Sequence, residues 1–227
     1  GIDVTWKVAA IRGVESNGMM CSVRELQLGD DHEGIIELAG DAPVGASYAG
    51  WAGLDDPLFD VAITPNRQDC MGVHGIARDL AAVGLGRLRA LEVPPIEAAG
   101  EILVPVRTDD PEGCPAFYAR SVAGVRNGPS PEWLQQLLTK AGLRPISALV
   151  DITNYFSIGY GRPLHVYDVA KLKGGLVARR ARAGEALLAL NGKQYALDES
   201  MTVIADEEKV HDIGGIMGGM ESGVADD

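Results

Sequence analysis

The sequence predicts an α+β fold, with mostly antiparallel sheets and a few short helices, laid out as a multi-domain fragment. Three observations carry this expectation. Glycine is abundant, at 29 of 227 residues, which favours many turns and short strands over long helices. Alternating apolar segments recur with turn pairs between them, as in ALLAL and KQYAL around Asn191-Gly192, which reads as a two-residue hairpin of the primed type. One stretch, from Ser130 to Gly142, has clear helical spacing.

The elements follow in order. Trp6 to Ile11 reads as a strand turned by Arg12-Gly13, and Asn17-Gly18 marks a further turn. Gly34 to Leu38 and Phe59 to Ile63 read as strands. Asn66 is placed to cap a helix, with Asp69 in its first turn, Met71, Ile76, Leu80 and Val83 along one side, and Gly84 at its end. Residues 89–100, with Pro94-Pro95, read as a linker. A new domain begins near 101, with strands in ILVPV and AFYARSVAGV. Ser130 caps the helix that follows and Pro131 takes its first position. Leu134, Leu137, Leu138 and Ala141 form its buried stripe. Residues 150–168 read as a short helix, a glycine turn at Gly159 and Gly161, and an extended segment presenting His165. Strands follow in LVARRAR, and in MTVIA and KVHDI around an acidic turn.

Composition narrows the function classes. The chain is 46% hydrophobic and only 5% aromatic, so its cores are aliphatic. Cys21, Cys70 and Cys114 are odd in number, far apart and without C-x-x-C spacing. That argues against a disulfide framework or structural zinc and for a reducing, cytoplasmic compartment. A net charge of −12 is the wrong sign for a free-standing nucleic-acid binder. The one basic patch is Arg179, Arg180 and Arg182 with Lys171 and Lys173, read as a solvated strand face or a phosphate contact. No apolar run approaches the twenty residues of a membrane span. A start at Gly1 without methionine and an acidic end at Asp227 suggest a piece of something longer.

Polar and aromatic groups concentrate in 150–168, which holds Thr153, Asn154, four aromatics and His165. His165, between Leu164 and Val166, is either a packed structural histidine or, with Thr153 and Asn154 across a glycine turn, part of a polar pocket. His74 with Cys70 four residues before it has metal-ligand spacing, but nothing nearby completes a site. His211, in a strand near the glycine cluster, reads as structural or as lining the same pocket as His165. GGIMGG (214–219) lacks the Lys-Ser/Thr of a phosphate loop. It is a bulged strand or tight turn, or a place where backbone comes close to a ligand. No nucleophile elbow is present, and Asp55-Asp56 and Asp109-Asp110 read as loop charges. The residues alone suggest a pocket and do not name a reaction.

ESNGMMCSVREL, DAPVG, ITPNRQDCMGVHGIARDLAA, SPEWLQQLL with GLRPI, VDITNYFSIGYGRPLHVYD, VIAD and GGIMGG occur in this order in the β subunit of bacterial phenylalanyl-tRNA synthetase. The chain resembles that family over essentially its whole length. The resemblance implies that residues 1–28 end an OB-fold tRNA-binding module. It makes 29–88 the second half of a discontinuous, B1-like α+β domain, and 101–227 a C-terminally truncated B3/B4-like editing domain. It implies a role in charging tRNA(Phe) with phenylalanine in an α2β2 enzyme. ATP and Mg²⁺ would act on the partner α subunit, with no cofactor and no metal in this fragment. It also implies an editing site that hydrolyses mischarged tyrosyl-tRNA(Phe). The physical need is that an apolar pocket rejects an isostere bearing one extra hydroxyl by only about 10²-fold.

Carried over by motif, His165 would position the ester or water, Thr153 and Asn154 would orient the substrate, and Gly215 and Gly218 would line the pocket. The chain departs from the family in reading RPLHVYD for QPLHAFD and IGGIMGG for LAGIMGG. The family's acid that receives the tyrosine hydroxyl falls beyond Asp227. The alternative is a non-catalytic scaffold that contacts tRNA and the α subunit, with editing lost.

Overall fold

The computed structural model describes residues 7–225, and of Ile11 only the backbone. Trp6, where the first strand was expected to start, and the terminal Asp226-Asp227 lie outside the described residues. The chain divides into two compact units, one ending at Pro57 and the other beginning at Leu58.

In the first unit, β1 (Ala9–Ile11) and β2 (Val14–Ser16) pair antiparallel, with Ala9 opposite Ser16. Arg12 and Gly13 turn the hairpin at φ 50° and 81°, the positive angles that match the twist of paired strands. Ser22 and Glu25 satisfy each other. The Ser22 N–H donates to Glu25 Oε2 at 2.7 Å, and the Glu25 N–H donates to Ser22 Oγ at 3.3 Å. Gly34 to Leu38 is coil, tied by one bond from Ile36 N–H to the Cys21 carbonyl, 2.9 Å. A short helix, α1 (Tyr48–Trp51), is capped by Ser47, whose Oγ accepts from Gly50 N–H.

The second unit opens with Phe59 to Ile63 as coil. Apolar alternation belongs to one segment, but a strand also needs a neighbour's hydrogen bonds, and none pairs here among the described residues. The same holds for 116–125. A 3₁₀ turn (Gln68–Cys70) precedes α2 (Val73–Ala82), which is capped by Gly72 rather than Asn66. Arg67 explains the delay. Its guanidinium reaches Asp69 at 3.0 Å, Cys70 Sγ at 2.8 Å and Asp79 at 2.6 Å, folding the segment back on the helix it precedes. Gly72 is required because the Tyr160–Gly161 backbone occupies the space a Cβ would take.

Then come β3 (Val106–Thr108), α3 (Glu132–Lys140) and α4 (Ala148–Tyr160). Pro131, not Ser130, borders α3. The Ser130 hydroxyl donates instead to Asp151, which is fully buried. The other oxygen of Asp151 accepts from Ile146 N–H at 2.9 Å. This carboxylate fastens the start of α4 to the start of α3. Leu134 and Leu138 are buried as the stripe requires, while Leu137 is 40% exposed. α4 runs through Gly159 and ends at Gly161, which takes the left-handed conformation (φ 62°).

The remaining strands are β4 (Leu176–Arg180), β5 (Ala186–Leu188), β6 (Gln194–Ala196), β7 (Thr202–Ala205), β8 (Val210–Ile213) and β9 (Met217–Gly218). They form a five-stranded sheet in the order β3-β4-β7-β8-β9, parallel at β3-β4 and antiparallel elsewhere. β5 and β6 pair separately. Their connection is a three-residue loop, not a two-residue one. Ala189 N–H bonds the Lys193 carbonyl, and Gly192 takes the left-handed position (φ 75°). Alternation along β4 and β7 sorts the core. Val177, Val203 and Ala205 pack with Leu187 and Leu197 on one face. Leu176, Ala178 and Ile204 pack with Tyr167 on the other. The fold is α+β, as expected.

Asp151→Ala leaves the buried Ser130 hydroxyl without its acceptor and removes the bond to the part-buried Ile146 N–H. It is expected to cost about 3 kcal/mol, measured as a lower urea midpoint without a change in slope.

Candidate functional site

The site grows from β8, whose four residues are all buried. Its register against β7 slips between Ile204 and Ala205, which pair with Asp212 and Val210. His211 is the extra residue of this bulge. A bulge re-aims side chains, and here two neighbours in sequence, His211 and Asp212, both meet Tyr167. The Tyr167 hydroxyl donates to Asp212 Oδ2. Its ring stands edge-on to His211, with centroids 6.2 Å apart.

The segment after α4 is extended, so His165 and Tyr167 share a side. Their ring centroids are 4.5 Å apart, and His165 Nε2 lies 3.4 Å from Asp212 Oδ1. That same oxygen accepts from Gly219 N–H at 3.3 Å. Gly218 forms the opposite wall. A Cβ there would stand 2.5 Å from His165 Cε1 and 3.0 Å from Leu190 Cδ1, so a larger residue displaces the imidazole. The result is a histidine side chain 32% exposed, backed by a carboxylate 7% exposed.

Burial pushes the Asp212 carboxyl up to about 7, against the Gly219 N–H, which lowers it. Burial pushes the His165 imidazole down, and charge on His211 adds to this. At 3.4 Å the attraction between imidazolium and carboxylate opposes both shifts. The protonation of each group is therefore linked to that of the other.

Behind Tyr167, His211 is almost wholly buried, with Nε2 2.8 Å from Asp206 Oδ2. The contact is close but poorly aligned for a hydrogen bond. Burial alone would raise the Asp206 carboxyl. His211 and the N–H groups of Lys209, Lys173 and Glu208 outweigh it and hold the group at about 2. This is the acidic turn that joins β7 to β8, so Asp206 locks the bulge in place.

Of the residues singled out from sequence, His165 and Gly218 come together. Gly215 lies three residues before Gly218 in the β8–β9 turn, at φ 70°, with open space where a Cβ would be. Thr153 and Asn154 stand on α4, which packs on α2 and α3 and not on the five-stranded sheet. Thr153 donates its hydroxyl to the Val150 carbonyl at 2.7 Å. No bond joins either residue to His165 among the described residues.

Two arginines of the basic patch are committed within the chain. Arg179 forks onto Glu185 at 2.7 and 2.9 Å, and Arg180 reaches Asp110 at 2.9 Å. The ring of His74 lies 5.8 Å from that of Tyr160. It borders an apolar cavity of about 650 Å³ between α2, residues 85–91 and α4. Asp69, Cys70 and Asp79 converge closely enough to hold a metal. Arg67 and Arg78 already neutralise them. Among the described residues no helix is long and apolar enough to cross a membrane.

Sequence reading missed Asp212 and Tyr167. The signal was an acid inside KVHDI, where an apolar strand has no use for one, and a tyrosine two residues after the histidine.

The depressed carboxyl of Asp206 contributes stability that is complete above about pH 4 and is lost as pH falls through about 2. Asp206→Asn is expected to cost about 2 kcal/mol at pH 7. The gap from wild type should narrow steadily below pH 4, followed by urea unfolding across that range.

The B3/4 domain family matches residues 113–227. The phenylalanine–tRNA ligase beta subunit of Novosphingobium aromaticivorans is 67% identical over 96% of the chain. Those of Zymomonas mobilis and Rhodopseudomonas palustris are each 59% identical, over 99% and 97%. The chain spans 27%, 28% and 28% of these three relatives' lengths. It belongs to the B3/4 domain family, in the form that family takes in phenylalanine–tRNA ligase beta subunits.

Proposed function

We propose that the chain carries the editing site of a phenylalanine–tRNA ligase and hydrolyses the ester that joins mischarged tyrosine to tRNA(Phe). The observation that supports this best is His165. It is a part-exposed imidazole with a carboxylate behind it and bare glycine backbone in front. Ester hydrolysis needs a group that takes a proton from water as the oxygen attacks the carbonyl carbon. The new C–O bond forms, the ester C–O bond breaks, and the proton passes to the departing ribose hydroxyl. The products are free tyrosine and uncharged tRNA.

In this reading His165 handles the proton, Gly218 lets the imidazole pack directly on backbone, and Gly215, which has open space beside its Cα, admits the amino-acid moiety. Thr153 and Asn154 orient the substrate from α4. The Thr153 hydroxyl donates to Val150 but keeps lone pairs for a donor such as the substrate ammonium. The hydroxyl-reading acid, the rest of the tRNA contact and the ATP- and Mg²⁺-dependent charging step lie elsewhere in an enzyme of α and β subunits. Residues 1–28 and 29–88 belong, on this reading, to the tRNA-binding and B1-like domains.

The test is deacylation of tyrosyl-tRNA(Phe) by the full-length ligase with its partner subunit. His165→Ala is expected to slow hydrolysis by about 10²-fold. Gly218→Ala, which displaces the imidazole, should slow it by about tenfold. Wild-type rates in both variants would leave the scaffold role as the better account.

A further inference from the structure

Asp212 is not required by the expected chemistry of the pocket, and its surroundings are unusual. It sits on the middle of three antiparallel strands, opposite Ile204. A carboxylate there gains nothing from packing, since an apolar residue of similar size is often neutral or stabilising in such a place. Both of its oxygens are engaged, Oδ2 by the Tyr167 hydroxyl and Oδ1 by Gly219 N–H with His165 Nε2 alongside. With its side chain 7% exposed it has little surface left for a substrate. Its most exposed partner is His165, with Tyr167 half-buried behind it.

The ring of His165 has two distinct ends. Nε2 faces Asp212. Cε1 and Nδ1 face Gly218, with Nδ1 3.2 Å from where a Cβ would stand. The 3.4 Å approach is that of a charge pair rather than a formed hydrogen bond, and a carboxylate beside one nitrogen favours the proton there and leaves the other nitrogen as the acceptor. The groups around the imidazole are Asp212 from β8, Tyr167 from its own segment, and His211 from the bulge with Asp206 beyond it.

We infer that Asp212, braced by Tyr167, is the positioning residue of this site: it holds His165 by Nε2 and turns Nδ1 toward the glycine wall as the basic end. The catalytic consequence rests on the editing reading above, whereas the positioning itself does not. The bulge at His211 is the backbone device that brings the acid into line.

The experiment uses the full-length ligase with its partner subunit, as wild type, Asp212→Asn, Tyr167→Phe, His165→Ala and the Asp212→Asn/His165→Ala double variant. His165 modification by diethyl pyrocarbonate is followed residue by residue by mass spectrometry between pH 5 and 8. Removing a carboxylate beside an imidazole lowers its apparent pKa by about one unit or more. Asp212→Asn should therefore move the His165 profile down by that much. Tyr167→Phe should move it up, because the carboxylate loses a donor. Opposite shifts from two neighbouring substitutions are not the signature of general loosening. Unchanged profiles, or both shifted alike, would overturn the inference.

In parallel, Asp212→Asn should lower kcat for tyrosyl-tRNA(Phe) deacylation about tenfold with KM little changed, and should add nothing to His165→Ala. A further loss in the double variant would also overturn it. If wild type itself fails to deacylate, the editing reading falls and the modification profiles alone decide the positioning. Tyr167→Phe leaves the carboxylate in place and keeps the test open if Asp212→Asn unfolds.

Discussion

A buried carboxylate in a sheet is costly unless it is hydrogen-bonded, and both oxygens of Asp212 have a donor. Tyr167 takes one oxygen and Gly219 the other, with His165 alongside. The partners come from two places, Tyr167 and His165 from the segment after α4 and Gly219 from just past β9. Satisfying this one group therefore fixes how that segment lies on the sheet. The bulge in β8 is the cost, and Asp206 meets it by gathering the N–H groups of Lys173, Glu208 and Lys209 under His211. The site's geometry and the sheet's irregularity have a common cause.

The rest of the second unit uses the same device at lower stakes. Asp151 ties two helix starts through Ser130 and Ile146. Asp110 gathers Thr202, Gly113 and Arg180. Asp69 and Asp79 share Arg67. Buried or half-buried aspartates, rather than aromatics, do the fastening in a chain with few aromatic residues. The same pairing absorbs Arg179 and Arg180, which leaves less free positive charge than the sequence suggests.

Much of this was legible in the residues. The helix stripe at Leu134 and Leu138, the left-handed stop at Gly161 and the strands β4, β7 and β8 follow from local spacing. What was not legible depended on distant partners. Phe59 to Ile63 alternates but finds no ladder. Asn66 has the chemistry of a cap, but Arg67 reaches across to Asp79 and delays the helix. Asn191-Gly192 signals a turn, yet the register at Ala189 and Lys193 makes the loop three residues long. His165 and Gly218 were marked by motif, and their juxtaposition follows from the β8–β9 hairpin. Asp212 looked like one more acid in a chain of net charge −12, and only the sheet shows that it is buried.

The central claim is that His165 and the glycine wall form the place where a tyrosyl ester is held. A crystal structure of the full-length ligase with a non-hydrolysable amide-linked tyrosyl-adenosine tests it most directly. The account predicts the amide carbonyl within hydrogen-bonding reach of the His165 side chain or of a water it binds, with the amino-acid moiety against the open Gly215 backbone. Density for the analogue elsewhere, away from His165 and the β8–β9 turn, would contradict it.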